Sequence, residues 1–554
     1  MKHTFVLPYF RTFVLLFLAA CGGADRTPGA ADADAGDHPT LSGGPPGGTL
    51  VVLADREPDE LNPLTFNSNP AHQITQLVFR SLARRDTTLS DYVPNLARSW
   101  ELEADSTLLI RLRDDVRWHD GVPVTAEDLV FTIERQRDVR TASPRRNDVI
   151  AVVSAEALDS FTVRVRLRQP GPYTVNALLE VVAVPKHLLD TVPAERMRFA
   201  PFSRNPVGNG LFRFAGWRAG QQVTLQANPD APEGRPALER LVLRFVPDMN
   251  AAMTELLSGQ GDLLKIPPDQ RERVEGTANV EVRNAPRVRP AWIAWNTSRA
   301  PVDDVRVRRA ILMGIDRDRL AEGLFGGVGE PALSPIPSSL REHSPAVQPI
   351  PFDPAGAGRL LEEAGWVDRD GDGIRDRDGR PLRLEIDYIS TDQTRADVLV
   401  AIQSMLRRIG VDIVPRAYES TTWVERLRGR QFVGSLWGWG WGPGVVGPNA
   451  EAIFHSRSIP PAGPNFAGYS NPRVDALIDS VLVTFDPERR QRFWTQIEQQ
   501  LINDAVYAPL YMDPELFGVS SRVRAPRFHG IEWSENVPFW HIPTERRLPR
   551  DRTG

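Results

Sequence analysis

Apolar residues along this chain follow two periods, a short-strand pattern and a helical one, with no repeat of fixed length. Residues 50–53 form a continuous apolar run that breaks ahead of Pro58 and Pro63, the pattern of a buried strand. Residues 108–112 read as another strand with Arg111 and Arg113 on the alternate face, and similar runs lie at 161–167, 223–227 and 241–246. Thr125 opens a helix as its N-cap, Asp128 reaches back, and Leu129, Val130 and Ile133 make the apolar stripe. Near Arg299 the texture changes. Val307, Ala310, Ile311, Gly314 and Ile315 fall on one helical face, and three further helices start with a capping side chain followed by proline. These starts are Asp353-Pro354, Asn471-Pro472 and Asp486-Pro487, and Gly365 closes the first. Strand patterns at 382–389 and 411–417 lie between them, so the expected class is α/β, shading into α+β.

The first residues predict targeting rather than fold. Lys2, His3 and Arg11 precede the apolar run 12–20, which is too short to span a bilayer but suits a signal-peptide core. It ends in Leu18-Ala19-Ala20-Cys21, which resembles a bacterial lipobox and makes Cys21 the expected lipidated residue. Residues 22–47 are dominated by Gly, Ala, Asp, Pro and Thr and cannot bury enough surface to fold. The expectation is a signal peptide at 1–20, a lipidated flexible tether at 21–47 and a body starting at 48. The chain would then be exported and held by lipid on a membrane, facing the periplasm or cell envelope.

Charge and composition narrow the classes. Lys+Arg 66 against Asp+Glu 71 leaves a net charge of -5, and no basic field points to nucleic acid. A single cysteine excludes a disulfide framework and cysteine-based metal centres. No Walker loop, dinucleotide fingerprint, nucleophile elbow or zinc-protease helix occurs, so neither a cofactor nor an enzyme is expected.

Three segments carry candidate chemistry. Trp118-His119-Asp120-Gly121 could suggest an acid–base pair, but Asp-Gly is first a turn signal and the structural reading is preferred. In the run 368–376, Asp368, Asp370, Asp372 and Asp376 with Gly373 mimic a calcium loop. Gly379 stands where the bidentate Glu belongs, so a solvated turn is favoured over a metal site. Trp437, Trp439 and Trp441 alternate with glycines; on one strand they would share a face, forming either a core stripe or a row of rings for stacking.

Taken in order, further motifs resemble one family. They include Pro94-Asn95-Leu96-Ala97-Arg98-Ser99-Trp100, then Trp118-His119-Asp120-Gly121 with Thr125-Ala126-Glu127-Asp128. Val207-Gly208-Asn209-Gly210, Gly259-Gln260-Gly261-Asp262, Trp295-Asn296-Thr297 and Asn471-Pro472-Arg473-Val474-Asp475 continue the series. The chain from about 48 to 540 is similar to the family 5 extracytoplasmic solute-binding proteins of peptide-type ABC importers. That resemblance implies a two-lobed, periplasmic-binding-protein-like fold of the type II, large peptide-binding class, closing on ligand by hinge motion. Lobe I would comprise 48–80, an inserted subdomain at 81–200, 201–291 and, with the C-terminal tail, 502–554; lobe II would be 292–501. It also implies capture of peptides or peptide-like solutes for ABC permease subunits by a monomer, with an oligosaccharide binder or a surface glycan or peptide hydrolase as alternatives. Asn67, Ser68 and Asn69 from lobe I, and Ser390, Thr391, Trp437, Trp439 and Trp441 from lobe II, are the implied ligand contacts. Peptide binders of the family carry an acidic residue after the tryptophan segment to pair with the α-ammonium. Here 442–448 holds no Asp or Glu, which argues against a ligand anchored that way.

Overall fold

The run at 50–53 becomes the strand Thr49–Ala54 at the centre of a seven-stranded sheet, which is why its apolar pattern is continuous. The structure, a computed structural model, describes residues 41, 43–86, 91–103, 106–442, 446–524, 528 and 532–552; the signal segment, Cys21 and most of the expected tether lie outside the described residues. Across the sheet the order is Val280–Asn284, Leu516–Ser520, Leu263–Ile266, Thr49–Ala54, Arg240–Phe245, Gln222–Ala227 and Phe212–Arg218. The central strand is parallel to both neighbours and the outer pairings are antiparallel.

A second, five-stranded sheet runs Asp412–Tyr418, Arg383–Ile389, Gly434–Gly438, Pro290–Trp295, Tyr507–Met512. Its first three strands are parallel, and Pro290–Trp295 is antiparallel to both of its neighbours. The carboxyl ends at 389, 418, 438 and 512 therefore share one edge with the amino end at 290. A four-stranded antiparallel sheet is built from Ala97–Glu103, Thr107–Leu112, Thr162–Leu167 and Val152–Asp159, with the helix Ala126–Arg137 packed against the last.

The capped starts read from sequence form as helices Pro354–Glu363, Pro472–Val483 and Pro487–Asp504. In each, the side chain of Asp353, Asn471 or Asp486 accepts a backbone N–H of the first turn. At Ala126–Arg137, Asp128 is a buried hub, accepting from the backbone N–H of Thr125 (2.9 Å) and Lys186 (2.9 Å) and from the Trp118 indole (3.3 Å).

Two family motifs lock onto each other. Gly208 and Gly210 lie so close to the end of helix Asn69–Val78 that a Cβ would sit 1.9 Å from the Val78 carbonyl oxygen and 2.4 Å from that of Leu77. Against this pair His119 donates its backbone N–H to the Gly208 carbonyl (2.7 Å) and its Nε2 to the Gly210 carbonyl (3.1 Å).

Only two chain segments join residues of the seven-stranded sheet to the five-stranded one around 290: 285–289 and 513–515. They run antiparallel side by side, with Ala285 N–H on the Glu515 carbonyl and Asp513 N–H on the Arg289 carbonyl, both at 2.9 Å. Elsewhere the fully buried Asp262 carboxylate accepts from Val51 N–H (2.9 Å), the Arg522 guanidinium (2.6 and 2.8 Å) and Arg550 (2.9 Å). Asp551 takes the other side of Arg522 (2.7 Å) and caps Thr49 N–H (2.7 Å), fastening the C-terminal segment to the central strand.

Candidate ligand-binding site

Ligands of open α/β sheets sit at the carboxyl ends of strands, and the expected lobe II contacts gather at that edge of the five-stranded sheet. Ser390 and Thr391 follow the strand ending at Ile389, both exposed, with Ser390 N–H bonded to the Tyr418 carbonyl at 2.8 Å. Asp392 beside them caps the helix Gln393–Arg407.

The tryptophan strand is shorter than the alternation predicts. It ends at Gly438, so only Trp437 lies in it. The backbone nevertheless stays attached beyond it: Trp439 N–H reaches the carbonyl of Pro290, at the start of the neighbouring strand (3.3 Å), and Trp441 N–H that of Val288 in the connector (2.8 Å). All three indoles enter one aromatic nest with Trp292, Phe454 and Tyr507. Trp437 meets Trp292 edge-on (5.6 Å) and Trp439 edge-on (5.8 Å), while Trp441 stacks on Phe454 (6.0 Å). Trp441 is 0% and Trp437 7% exposed; Trp439 is half-buried. Trp441 is thus a core ring, and Trp439 is the most exposed of the three. Among the described residues the indole N–H groups of Trp292, Trp437, Trp439 and Trp441 have no acceptor.

The glycines between the indoles make room for arginines. A Cβ on Gly438 would lie 3.3 Å from Arg395 Nη2, and one on Gly440 3.9 Å from Arg289 Nε. Arg395 is bound to Asp513 (3.0 Å) and to the Tyr511 hydroxyl; burial alone depresses its guanidinium, and these partners more than reverse that, holding it charged. Arg289 is exposed, and among the described residues its side chain makes no ion pair. The edge beside the tryptophans therefore presents positive charge, with Asp392 and Asp513 engaged by Arg395, while the exposed Glu419 after the strand ending at Tyr418 caps the helix Ser420–Arg428. Sequence reasoning missed Arg289, Arg395 and Asp513, because 118 residues separate the last two.

The lobe I candidates are largely consumed locally. The backbone N–H groups of Asn67 and Ser68 are taken by the Asp59 carboxylate (2.9 and 3.2 Å). The Ser68 hydroxyl donates to Asp59 (2.6 Å) and caps helix Asn69–Val78. The side chains of Asn67 and Asn69 are exposed.

The acidic loop brings Asp368, Asp370 and Asp372 together, with an oxygen of each within 4.8 Å of the others, all exposed. Asp376, expected with them, is turned to Arg369 instead (2.8 Å) and stands outside that group. Asp368 and Asp370 already accept backbone N–H groups of Gly371, Gly373 and Asp372, as in ordinary acidic turns.

His119 is scaffold. Burial lowers its pKa to about 4, with Arg213 and Arg80 adding to the effect against the Gly210 hydrogen bond. For a base depressed in the fold, stability is complete above the unfolded pKa and is lost as pH falls toward the folded one. His119→Gln should therefore gain on the wild type by about 1.4 kcal/mol per pH unit as pH falls from about 6.5 to 4. Paired urea titrations check this; a difference constant with pH would contradict it.

A profile of the bacterial extracellular solute-binding proteins, family 5, matches residues 91–460. The chain belongs to that family. It is 27% identical over 532 residues to the oligopeptide-binding protein AppA of Bacillus subtilis, covering 95% of this chain and 96% of the relative. The solved structure of AppA from Bacillus subtilis in complex with a nonapeptide superposes with a TM-score of 0.72 at 26% identity, covering 90% of this chain and all of that one. NikA from Brucella suis in complex with Fe(III)-EDTA gives 0.78 at 25% identity, over 89% and 99%. This solute-binding protein has the mixed α/β fold of the oligopeptide-binding class, and it is a non-catalytic binding component of the ABC-transporter type.

Proposed function

We propose that this protein is the substrate-binding lipoprotein of an ABC importer, taking peptides or peptide-like solutes into a cleft between its two main sheets. Its relatives' names supply the peptide class. The lobes are carried by the seven-stranded sheet, from 48–80, 201–291 and the C-terminal segment, and by the five-stranded sheet. Because Tyr507–Met512 pairs within the latter, lobe II runs to 512 rather than 501. Residues 81–200 form the insert.

One observation carries the reading. The connector that joins the sheets holds Trp441 by its backbone at Val288, and the strand it leads into holds Trp439 at Pro290, so bending there moves the rings together with the lobe. The ligand contacts are Trp439, with Trp437 behind it, exposed Ser390 and Thr391, and Asn67 and Asn69 opposite. An exposed Arg289 with no ion pair among the described residues favours a carboxylate or carbonyl on the solute over an ammonium group. An oligosaccharide, whose C–H faces stack on indole, is the second reading, favoured by the half-buried Trp439. A thermal-shift screen of peptides, N-acetylated peptides and oligosaccharides separates them.

The lipid anchor at Cys21 rests on the sequence. Among the described residues no helix is long and apolar enough to cross a membrane. Cys21→Ala should move the protein out of the membrane fraction, read by fractionation and blotting; retention with the signal peptide uncut would point to another anchor.

A further inference from the structure

The insert holds a cavity of about 310 Å³ lined by Arg137, Arg146, Arg168 and Ile150, remote in sequence from the tryptophan edge. Three separate elements deliver the arginines. Arg137 is the last residue of helix Ala126–Arg137, Arg146 opens the 3-10 turn Arg146–Val149, and Arg168 follows the strand Thr162–Leu167.

Two of the side chains are tied down by the backbone. Arg146 Nε donates to the Arg137 carbonyl (3.1 Å), which satisfies an end carbonyl of the helix, and Arg137 Nη1 donates to the Val153 carbonyl (3.2 Å). Arg168 is anchored through its backbone N–H on the Ala151 carbonyl (2.8 Å). Among the described residues none of the three pairs with a carboxylate, whereas neighbouring Arg140 and Arg164 pair with Asp138 (2.7 Å) and Glu156 (3.6 Å). Asp148, a carboxylate between Arg146 and Arg168 in sequence, makes no ion pair with any of the three among the described residues.

Three like charges around one cavity repel each other unless an anion sits among them. Each guanidinium has five N–H donors, and among the described residues two of the fifteen find an acceptor. A carboxylate matches one guanidinium fork, while a tetrahedral oxyanion accepts from three directions. Ile150, 52% exposed, adds an apolar wall against which an organic substituent can rest.

We infer that this cavity binds a phosphate group, free or esterified, independently of the solute cleft. Inorganic phosphate and the headgroup of an anionic lipid share that chemistry. The full-length protein is titrated calorimetrically at constant ionic strength with inorganic phosphate and with dihexanoylphosphatidylglycerol below its micellar concentration. Arg168→Gln is run alongside, since its side chain makes no bond among the described residues and its loss should leave the melting temperature unchanged. The expected result is saturable one-to-one binding of at least one probe, weakened about tenfold or more by Arg168→Gln. Binding of inorganic phosphate identifies a free anion, and binding of the lipid analogue alone identifies a headgroup. Binding by neither probe, or binding untouched by the substitution, overturns the site.

Discussion

Asp262→Ala should lower the stability of the protein by about 3–5 kcal/mol, because removing one partner of a buried ion network strands the other charge. The Asp262 carboxylate is wholly buried and serves Val51 N–H, Arg522 and Arg550 together. Without it, Arg522 keeps Asp551 and the Thr49 carbonyl but loses its most buried acceptor. The central strand loses a side-chain acceptor at the same point. Asp262→Asn, which keeps an acceptor without the charge, should fall between. Urea unfolding gives the magnitude, and hydrogen exchange should show the segment from 521 onward opening first. A loss under about 1 kcal/mol, the range of an exposed pair, would mean that the C-terminal segment is held by other contacts.

The tryptophans should divide into one of stability and one of binding. Trp441→Ala opens a cavity beneath Phe454 in a ring that is 0% exposed, and should cost about 3–5 kcal/mol of folding stability. Trp439→Ala removes a half-buried ring at the strand edge, and should leave the fold near its original stability while weakening ligand by about 1–3 kcal/mol. Melting curves and ligand titrations on the two variants read both quantities. Equal stability losses with unchanged affinity would make all three indoles core.

What was legible in the sequence is what local rules decide. The pairs Asp353-Pro354, Asn471-Pro472 and Asp486-Pro487 set helix starts because the cap and the fixed proline φ act within one turn. The central strand was legible because burial on both faces leaves a continuous apolar run. The tryptophan repeat was over-read as a strand: alternation fixes which side the rings take, but the sheet ends where its neighbour Pro290–Trp295 ends. Asn67 and Ser68 were implied ligand contacts, but Asp59, eight and nine residues earlier, takes their backbone N–H groups. Arg395–Asp513 and Asp262–Arg522 join residues more than a hundred positions apart, and no local pattern marks such pairs.

Calorimetric titration of one tripeptide with a free amino terminus, beside the same peptide N-acetylated, tests the cleft most directly. With Arg289 making no ion pair among the described residues and Asp392 and Asp513 engaged by Arg395, the edge beside the tryptophans disfavours an α-ammonium group. The two peptides should therefore bind with affinities within about threefold, a difference smaller than one hydrogen bond to a charged group. Tight binding of the free-amine peptide that is lost on acetylation would contradict this, and would show that a carboxylate elsewhere holds the ligand's amino group.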